Sequence, residues 1–212
     1  HSVIQILSVS EDTYNFLYTN LGIPDHKLTR IINAIESIFK PSIDKEKRIH
    51  WMPRKNPDHV QAIMLSLQKS KLRNIEGWQG KPLKGLSHSE VAKSMNNARI
   101  FLSFGHPEGF GLPIAEAMAS GCWVIGYAGG GGRELFRFGA SELIEFGDWY
   151  RYLNSIQIAL NNFANQPRET ELSLQRQSLA IRSLYSFSEE RRTIKIAWDR
   201  IAKAFMNLDI PQ

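Results

Sequence analysis

The amino-acid sequence predicts a doubly wound α/β domain: a parallel sheet covered by helices on both faces, followed by a helical tail. Two observations carry that prediction. Short runs of continuous apolar residues, such as IFLSF at 100–104 and CWVIGY at 122–127, alternate with segments whose apolar residues recur every three to four positions. The first kind is the pattern of a strand buried on both faces, and the second that of an amphipathic helix. No internal repeat interrupts the alternation, and 212 residues are enough to bury a core without covalent staples.

In chain order, VIQILSV (3–9) predicts the first strand, and Ser10 an N-cap for a helix carrying Tyr14, Leu17 and Leu21. LTRIINAI (28–35) predicts a second strand, followed by the turn-prone linker FKPSIDKEK. A third, RIHWM, falls at 48–52. Asn56 then stands as N-cap and Pro57 at the first position of a helix whose Val60, Ile63, Met64 and Leu67 share one face. One short strand is expected near 73–77. Ser87 and Glu90 make a capping box for a helix with Val91 and Met95 inside, and the strand at 100–104 follows. The next helix runs from Gly111 to Ser120 and ends at Gly121, before the strand at 122–127. Gly129–Gly132 leads into a short helix at Arg133–Phe136, and LIEF (143–146) is the last strand. Asp148 caps a helix with Leu153, Ile156, Leu160 and Phe163. Two helices, 169–184 and 188–207, finish the chain, with a second capping box at Ser186 and Glu189. The last is expected to bury Ile194, Ala197, Trp198, Ile201, Ala204, Phe205 and Leu208. Its Arg191, Arg192, Lys195, Asp199, Arg200 and Lys203 should face solvent.

Composition narrows the function classes. Hydrophobic residues at 42% and charged residues at 22% are ordinary for a soluble globular chain. A single cysteine, Cys122, excludes a disulfide framework and a multi-cysteine zinc site, and it reads as a core residue. No apolar run approaches the roughly 20 residues that span a bilayer, so a cytoplasmic location is expected. The net charge of +5 suits anionic partners. The basic face of the last helix leaves contact with an anionic membrane surface open beside plain solvation. Nucleic acid is not expected, because no aromatics interleave with those charges. The first residue is His1, and the sequence reads as a piece of a longer protein.

In a doubly wound sheet, ligands bind outside the carboxyl ends of the strands. Two loops fall there, GHPEGFG (105–111) and AGGGGRE (128–134), each ending at a helix N-terminus that favours an anion. Their glycines either make tight turns or let a phosphate approach the backbone. Glu116 lies on the inward stripe Leu112, Ala115, Glu116 and Ala119, where a carboxylate is costly unless paired or hydrogen-bonded. Glu108 stands just ahead of the same helix. The two carboxylates suit a ligand with hydroxyls at both ends and phosphates between. A buried arginine for Glu116 and a helix-dipole role for Glu108 are the structural alternatives. His106 belongs to the same rim and serves either sugar contact or loop packing. His88 should be exposed, and Trp51, Trp123 and Trp198 read as packing residues.

Glu108-Gly-Phe-Gly-Leu-Pro-Ile-Ala-Glu116 resembles the E-x7-E signature of retaining glycosyltransferases with the GT-B fold, the large group 1 family. Gly-Gly-Gly-Arg-Glu134 resembles its G-G-x-E segment, and Val9-Ser10 and Asn33-Ala-Ile-Glu36 resemble marks that flank the crossover between its two domains. The resemblance implies a Rossmann-like, C-terminal domain of the GT-B fold. It divides the chain into the last elements of an N-terminal domain with a linker (1–40), a nucleotide-sugar-binding domain (41–187) and a C-terminal helix (188–212).

By that resemblance, Glu108 meets hydroxyls of the donor sugar as the catalytic-site carboxylate, without acting as a nucleophile, and Glu116 holds the ribose. Backbone amides around Phe110, Gly111 and Leu112 face the distal phosphate. Arg54 matches the family's diphosphate-binding arginine. The family's lysine position holds His59, which leaves Lys55 as its substitute. The base falls near Lys84–Ser87. The resemblance implies a hexosyltransferase-like enzyme that retains anomeric configuration and uses a nucleoside-diphosphate sugar as donor. No cofactor and no metal are expected, in keeping with the lack of an Asp-x-Asp pair. The acceptor domain would lie upstream, so this chain alone is expected to be inactive in transfer. A non-catalytic nucleotide or polyanion-binding module is the alternative. A dinucleotide oxidoreductase fits poorly, because Ile114 stands where the third fingerprint glycine belongs.

Overall fold

The computed structural model describes residues 3–69 and 72–206. Strands β1 (Ile6–Ser8) and β2 (Leu28–Arg30) pair in parallel, with helix α1 (Glu11–Thr19) between them. The chain then crosses to a second sheet of β3 (Glu46–Trp51), β4 (Gln79–Pro82), β5 (Ala98–Ser103), β6 (Trp123–Gly126) and β7 (Glu142–Leu143). This sheet is wholly parallel, in the order β4-β3-β5-β6-β7. Helices α2 (Pro57–Lys69), α3 (His88–Asn97) and α4 (Leu112–Ala119) connect its first four strands, and a 3-10 segment, Arg133–Phe138, precedes β7. Helices α5 (Trp149–Asn165), α6 (Pro167–Leu184) and α7 (Phe187–Met206) close the chain. The predicted class holds: a parallel α/β sheet flanked by helices, with a helical tail.

Side chains on a strand alternate between faces, and the two cores follow that period. Ile49, Ile100, Leu102, Trp123 and Ile125 pack with Val60 and Ile63 of α2 and Ile156 and Leu160 of α5. Phe101 and Val124 point the other way, onto Met95 of α3 and Ile114 and Met118 of α4. Both faces of β5 and β6 are therefore buried, which is why they read as continuous apolar runs. Three expected caps are in place. Ser10 Oγ accepts from Thr13 N at 3.2 Å, Asp148 accepts from Arg151 N at 2.9 Å, and Ser87 and Glu90 exchange both bonds of a capping box.

Several local expectations are corrected. No strand forms at 73–77; the strand is β4, at 79–82. It is a polar, exposed edge that needs no apolar residue, while Leu72, Ile75 and Trp78 pack inward ahead of it. β2 stops at Arg30, because Ile32 N and Ala34 N donate instead to Thr193 Oγ1 and Glu190 Oε1 of α7, each at 3.0 Å. The first and last strands are likewise shorter than predicted, at Ile6–Ser8 and Glu142–Leu143. Asn56 does not cap α2 with its side chain; its φ is +50° and its amide donates to the carbonyls of Phe104 (2.7 Å) and His106 (3.2 Å). Ser186 and Glu189 complete only half a box, because the Glu189 carboxylate pairs with Arg192.

α7 departs most from its amphipathic pattern. Ala197 is buried, but Ile194 and Phe205 are exposed and Trp198 is 64% exposed. Arg200, expected in solvent, donates to Leu28 O at 2.7 Å and Thr29 Oγ1 at 3.1 Å. A narrow two-stranded sheet offers α7 little to cover, so polar bonds hold it. Leu208 lies outside the described residues. Among the described residues no helix is long and apolar enough to cross a membrane.

One carboxylate binds the two sheets together. Glu134, 4% exposed, forms a two-pronged ion pair with Arg30 of β2. It also accepts from Glu11 N at 2.7 Å and from the Tyr185 hydroxyl at 2.8 Å. Burial pushes its carboxyl up, but Arg30, the Glu11 amide and Tyr185 together outweigh that and hold it below its ordinary value. Removing one partner of such a pair leaves a buried charge uncompensated. Glu134→Ala should therefore cost about 3 kcal/mol in urea denaturation at pH 7. Because the folded-state value is depressed, this contribution is present above the unfolded value of 4.5 and is lost as pH falls through the folded one. The gap between wild type and variant should narrow in acid.

Candidate functional site

Strand order reverses between β3 and β5: the chain leaves β3 for the edge strand β4, then returns to lay β5 on the other side. Loops leaving adjacent strands at such a switch point diverge to opposite faces and open a crevice. A pocket sits there, lined by Arg54 and Lys55 beyond β3, by Gly105 beyond β5, and by Glu108, Gly111 and Pro113 where α4 begins.

The two glycine-rich loops are knotted together on this rim. Glu108 N donates to Gly129 O at 2.7 Å, and Gly131 N donates to Glu108 O at 3.1 Å. A Cβ on Gly131 would fall 1.9 Å from Gly109 O, and one on Gly129, whose φ is +66°, would fall 2.7 Å from Glu108 Cβ. Only glycine permits that approach. These two residues thus serve loop packing, and they position the Glu108 backbone. Gly111, with φ +87°, turns the chain into α4. Among the described residues, the N–H groups of Phe110, Gly111 and Leu112 donate to no protein acceptor. They form a set of backbone donors at a helix N-terminus, where the dipole favours an anion. The Phe110 side chain is core, 5.1 Å from the Tyr185 ring, and Leu112 is exposed rather than inward.

Arg54 is exposed at the mouth of the pocket. Lys55 Nζ lies 2.7 Å from Glu108 Oε1 and donates to Pro107 O at 2.8 Å. His59 does not line this pocket. Its Nδ1 lies 2.9 Å from the Tyr127 hydroxyl and accepts from Trp149 Nε1 at 3.3 Å. Its ring stacks on Phe146 at 4.7 Å, and His106 stacks on the same phenyl at 4.3 Å. His106 thus packs its loop against the rim. Tyr127, Phe146 and Trp149 had no periodic signal that would have marked them as neighbours of the site.

Glu116 stands apart from Glu108. It is half-buried on α4 without a hydrogen-bond partner, and the arginine that could have paired with it is missing among the described residues. It faces His88 and Glu36, which are 3.1 Å from one another. Burial pushes its carboxyl up to about 7, against a lowering by His88, while Glu36 raises it further. An unpartnered, half-buried carboxylate beside the start of α3 is poised to accept from hydroxyl donors. His88 is exposed, as expected. Ser87, near the predicted base position, already spends its amide and hydroxyl on Glu90. Glu134, at the end of the glycine-rich segment, is held by Arg30, the Glu11 amide and Tyr185 and does not line this pocket.

Comparison with known proteins agrees with this geometry. Residues 81–172 match the family described as "Glycosyl transferases group 1", which takes in both carboxylates and the glycine-rich loop. The resemblance to the group 1 family read from the motifs is borne out over that segment. A curated α-1,6-glucosyltransferase from Actinobacillus pleuropneumoniae serotype 7 (strain AP76) is 37% identical over 86 residues, 39% of this chain and 26% of that protein. The fold matches a glycosyltransferase from Rickettsia africae ESF-5 with a TM-score of 0.70 at 16% identity, covering 96% of this chain and 64% of that one. It matches sucrose-phosphate synthase from Thermosynechococcus elongatus with the same TM-score of 0.70 at 17% identity, covering 93% and 58%. The chain thus has a glycosyltransferase fold of the GT-B kind and spans less than two thirds of these relatives.

Glu116 should reveal itself through stability before any ligand is added. A carboxyl whose folded value is raised stabilises the fold in acid and loses that contribution as pH rises through about 7. Glu116→Gln should therefore be more stable than wild type at pH 8, and the difference should shrink by pH 5. Urea midpoints of both proteins at the two pH values check this.

Proposed function

We propose that this chain is the donor-binding part of a retaining glycosyltransferase that moves a sugar from a nucleoside diphosphate to an acceptor. One observation carries the reading. The pocket at the β3/β5 switch point gathers Arg54, Lys55 and Glu108 beneath the free amides that open α4. Breaking the bond between sugar and diphosphate leaves negative charge on the departing phosphate. Two cations and a helix N-terminus can stabilise that charge in place, which supports chemistry without a divalent metal. Glu108 accepts from hydroxyls of the donor sugar, and Glu116, unpartnered near the start of α3, accepts from the ribose. Phe110, Gly111 and Leu112 contribute backbone N–H groups to the distal phosphate. Transfer itself needs an acceptor-binding domain, a role for the part of the longer relatives that this chain does not span.

Calorimetric titration with UDP, GDP and ADP, each with Mg²⁺ and with EDTA, tests the reading. One diphosphate should bind clearly best, with an affinity that EDTA leaves unchanged. Arg54→Ala should weaken the diphosphate far more than the matching nucleoside, which offers the guanidinium nothing to hold. Glu116→Gln should weaken diphosphate and nucleoside alike, by roughly tenfold or more, as expected for a charge-assisted hydrogen bond worth about 1.5–3 kcal/mol. Binding abolished by EDTA, or an Arg54→Ala effect equal on nucleoside and diphosphate, would remove the metal-free diphosphate site.

A further inference from the structure

Lys55 and Glu108 neutralise one another across the pocket, 2.7 Å apart, with their side chains only 34% and 24% exposed. Their freedom to part is unequal. The Glu108 side chain is fenced by two close backbone approaches: a Cβ on Gly105 would fall 3.0 Å from its Cγ, and one on Gly129 would fall 2.8 Å from the same atom. Lys55 carries its charge on a flexible four-carbon stem at the edge of a loop. Any anion entering between Arg54 and the start of α4 meets an ammonium already engaged. His59 does not take its place: it does not line the pocket, and its Nδ1 is shared between the Tyr127 hydroxyl and the Trp149 indole.

We infer that Lys55 and Glu108 form a partner-exchange pair that makes the site favour an intact nucleoside-diphosphate sugar over the bare nucleoside diphosphate. The inference rests on the donor site proposed above. A bare diphosphate must draw Lys55 away and leave the half-buried Glu108 carboxylate with no donor, so part of its binding energy offsets that loss. An intact donor brings phosphate oxygens for Lys55 and sugar hydroxyls for Glu108, and both groups exchange one partner for another. When no sugar is present, the re-formed ion pair competes with the diphosphate for Lys55 and favours its release. A carboxylate that touched only the sugar would leave diphosphate affinity alone; one paired with Lys55 opposes it.

The test is a double-mutant cycle on the full chain, titrated calorimetrically with UDP, GDP and ADP. Glu108→Gln keeps the shape of the side chain and removes its charge. It should bind the preferred diphosphate about three- to fivefold more tightly than wild type, the range expected for a partly exposed ion pair. In a Lys55→Met background the same substitution should change the affinity hardly at all. If Glu108→Gln fails to fold, Glu108→Asp, which draws the carboxylate back by one methylene, should tighten binding in the same direction. Unchanged or weaker diphosphate binding by the Glu108 variant, or equal tightening with and without Lys55, overturns the exchange and leaves the donor site standing. Failure of the wild-type chain to bind any of the three diphosphates removes the donor site, and the exchange with it.

Discussion

The Glu134 carboxylate is the constraint on which the rest of this structure depends. A buried charge of this kind is tolerable only when every lone pair is answered. Here the answers come from β2 through Arg30, from the first turn of α1 through the Glu11 amide, and from the end of α6 through Tyr185. Three elements distant in sequence must converge on one point. The small sheet of β1 and β2 is thereby held against the large one, although two three-residue strands could not persist alone. Glu134 also fixes one end of the glycine-rich loop, whose other end is knotted to Glu108. The position of a pocket carboxylate thus depends on a charge pair that never touches the pocket.

Around that frame, the carboxylates that flank the start of α4 and its buried face are left in costly arrangements. Glu116 is half-buried without a partner, and Glu108 relies on Lys55, whose Nζ it shares with Pro107 O. Each breaks the rule that buried charge should be fully answered within the fold, and proteins break that rule mainly where a ligand completes the set. The contrast with the bottom of the sheet is direct. There Lys45, also buried, donates to the carbonyls of Met95 at 3.4 Å and Ala98 at 2.5 Å. Desolvation lowers its value, and two backbone carbonyls of the fold itself answer its charge.

Legibility followed the length scale of the cause. Caps at Ser10, Ser87 and Asp148 were readable because each depends on residues three positions apart. β5 and β6 were readable because burial on both faces leaves an apolar run. β4 was misplaced because an exposed edge strand is chosen by its neighbour β3, not by its own residues. Asn56 was misread because its amide is claimed by carbonyls of the loop after β5, about 50 positions away. The apolar positions of α7 announced an amphipathic helix correctly but could not say that little lay opposite to cover them.

For the site, the sequence by itself determined the carboxylates, the glycines and the helix that follows them, because their spacing along one loop and helix is a local property. It also placed Arg54 and Lys55 after a strand, at the carboxyl end of the sheet. Only the tertiary structure decided which of these groups meet. It turned His59 into an aromatic cluster, joined Lys55 to Glu108, sent Glu116 toward His88 and Glu36, and made Glu134 a joint between sheets. The reason is that a charged side chain takes whatever partner the packing of distant elements brings within about 3 Å, and spacing along the chain carries no record of that distance.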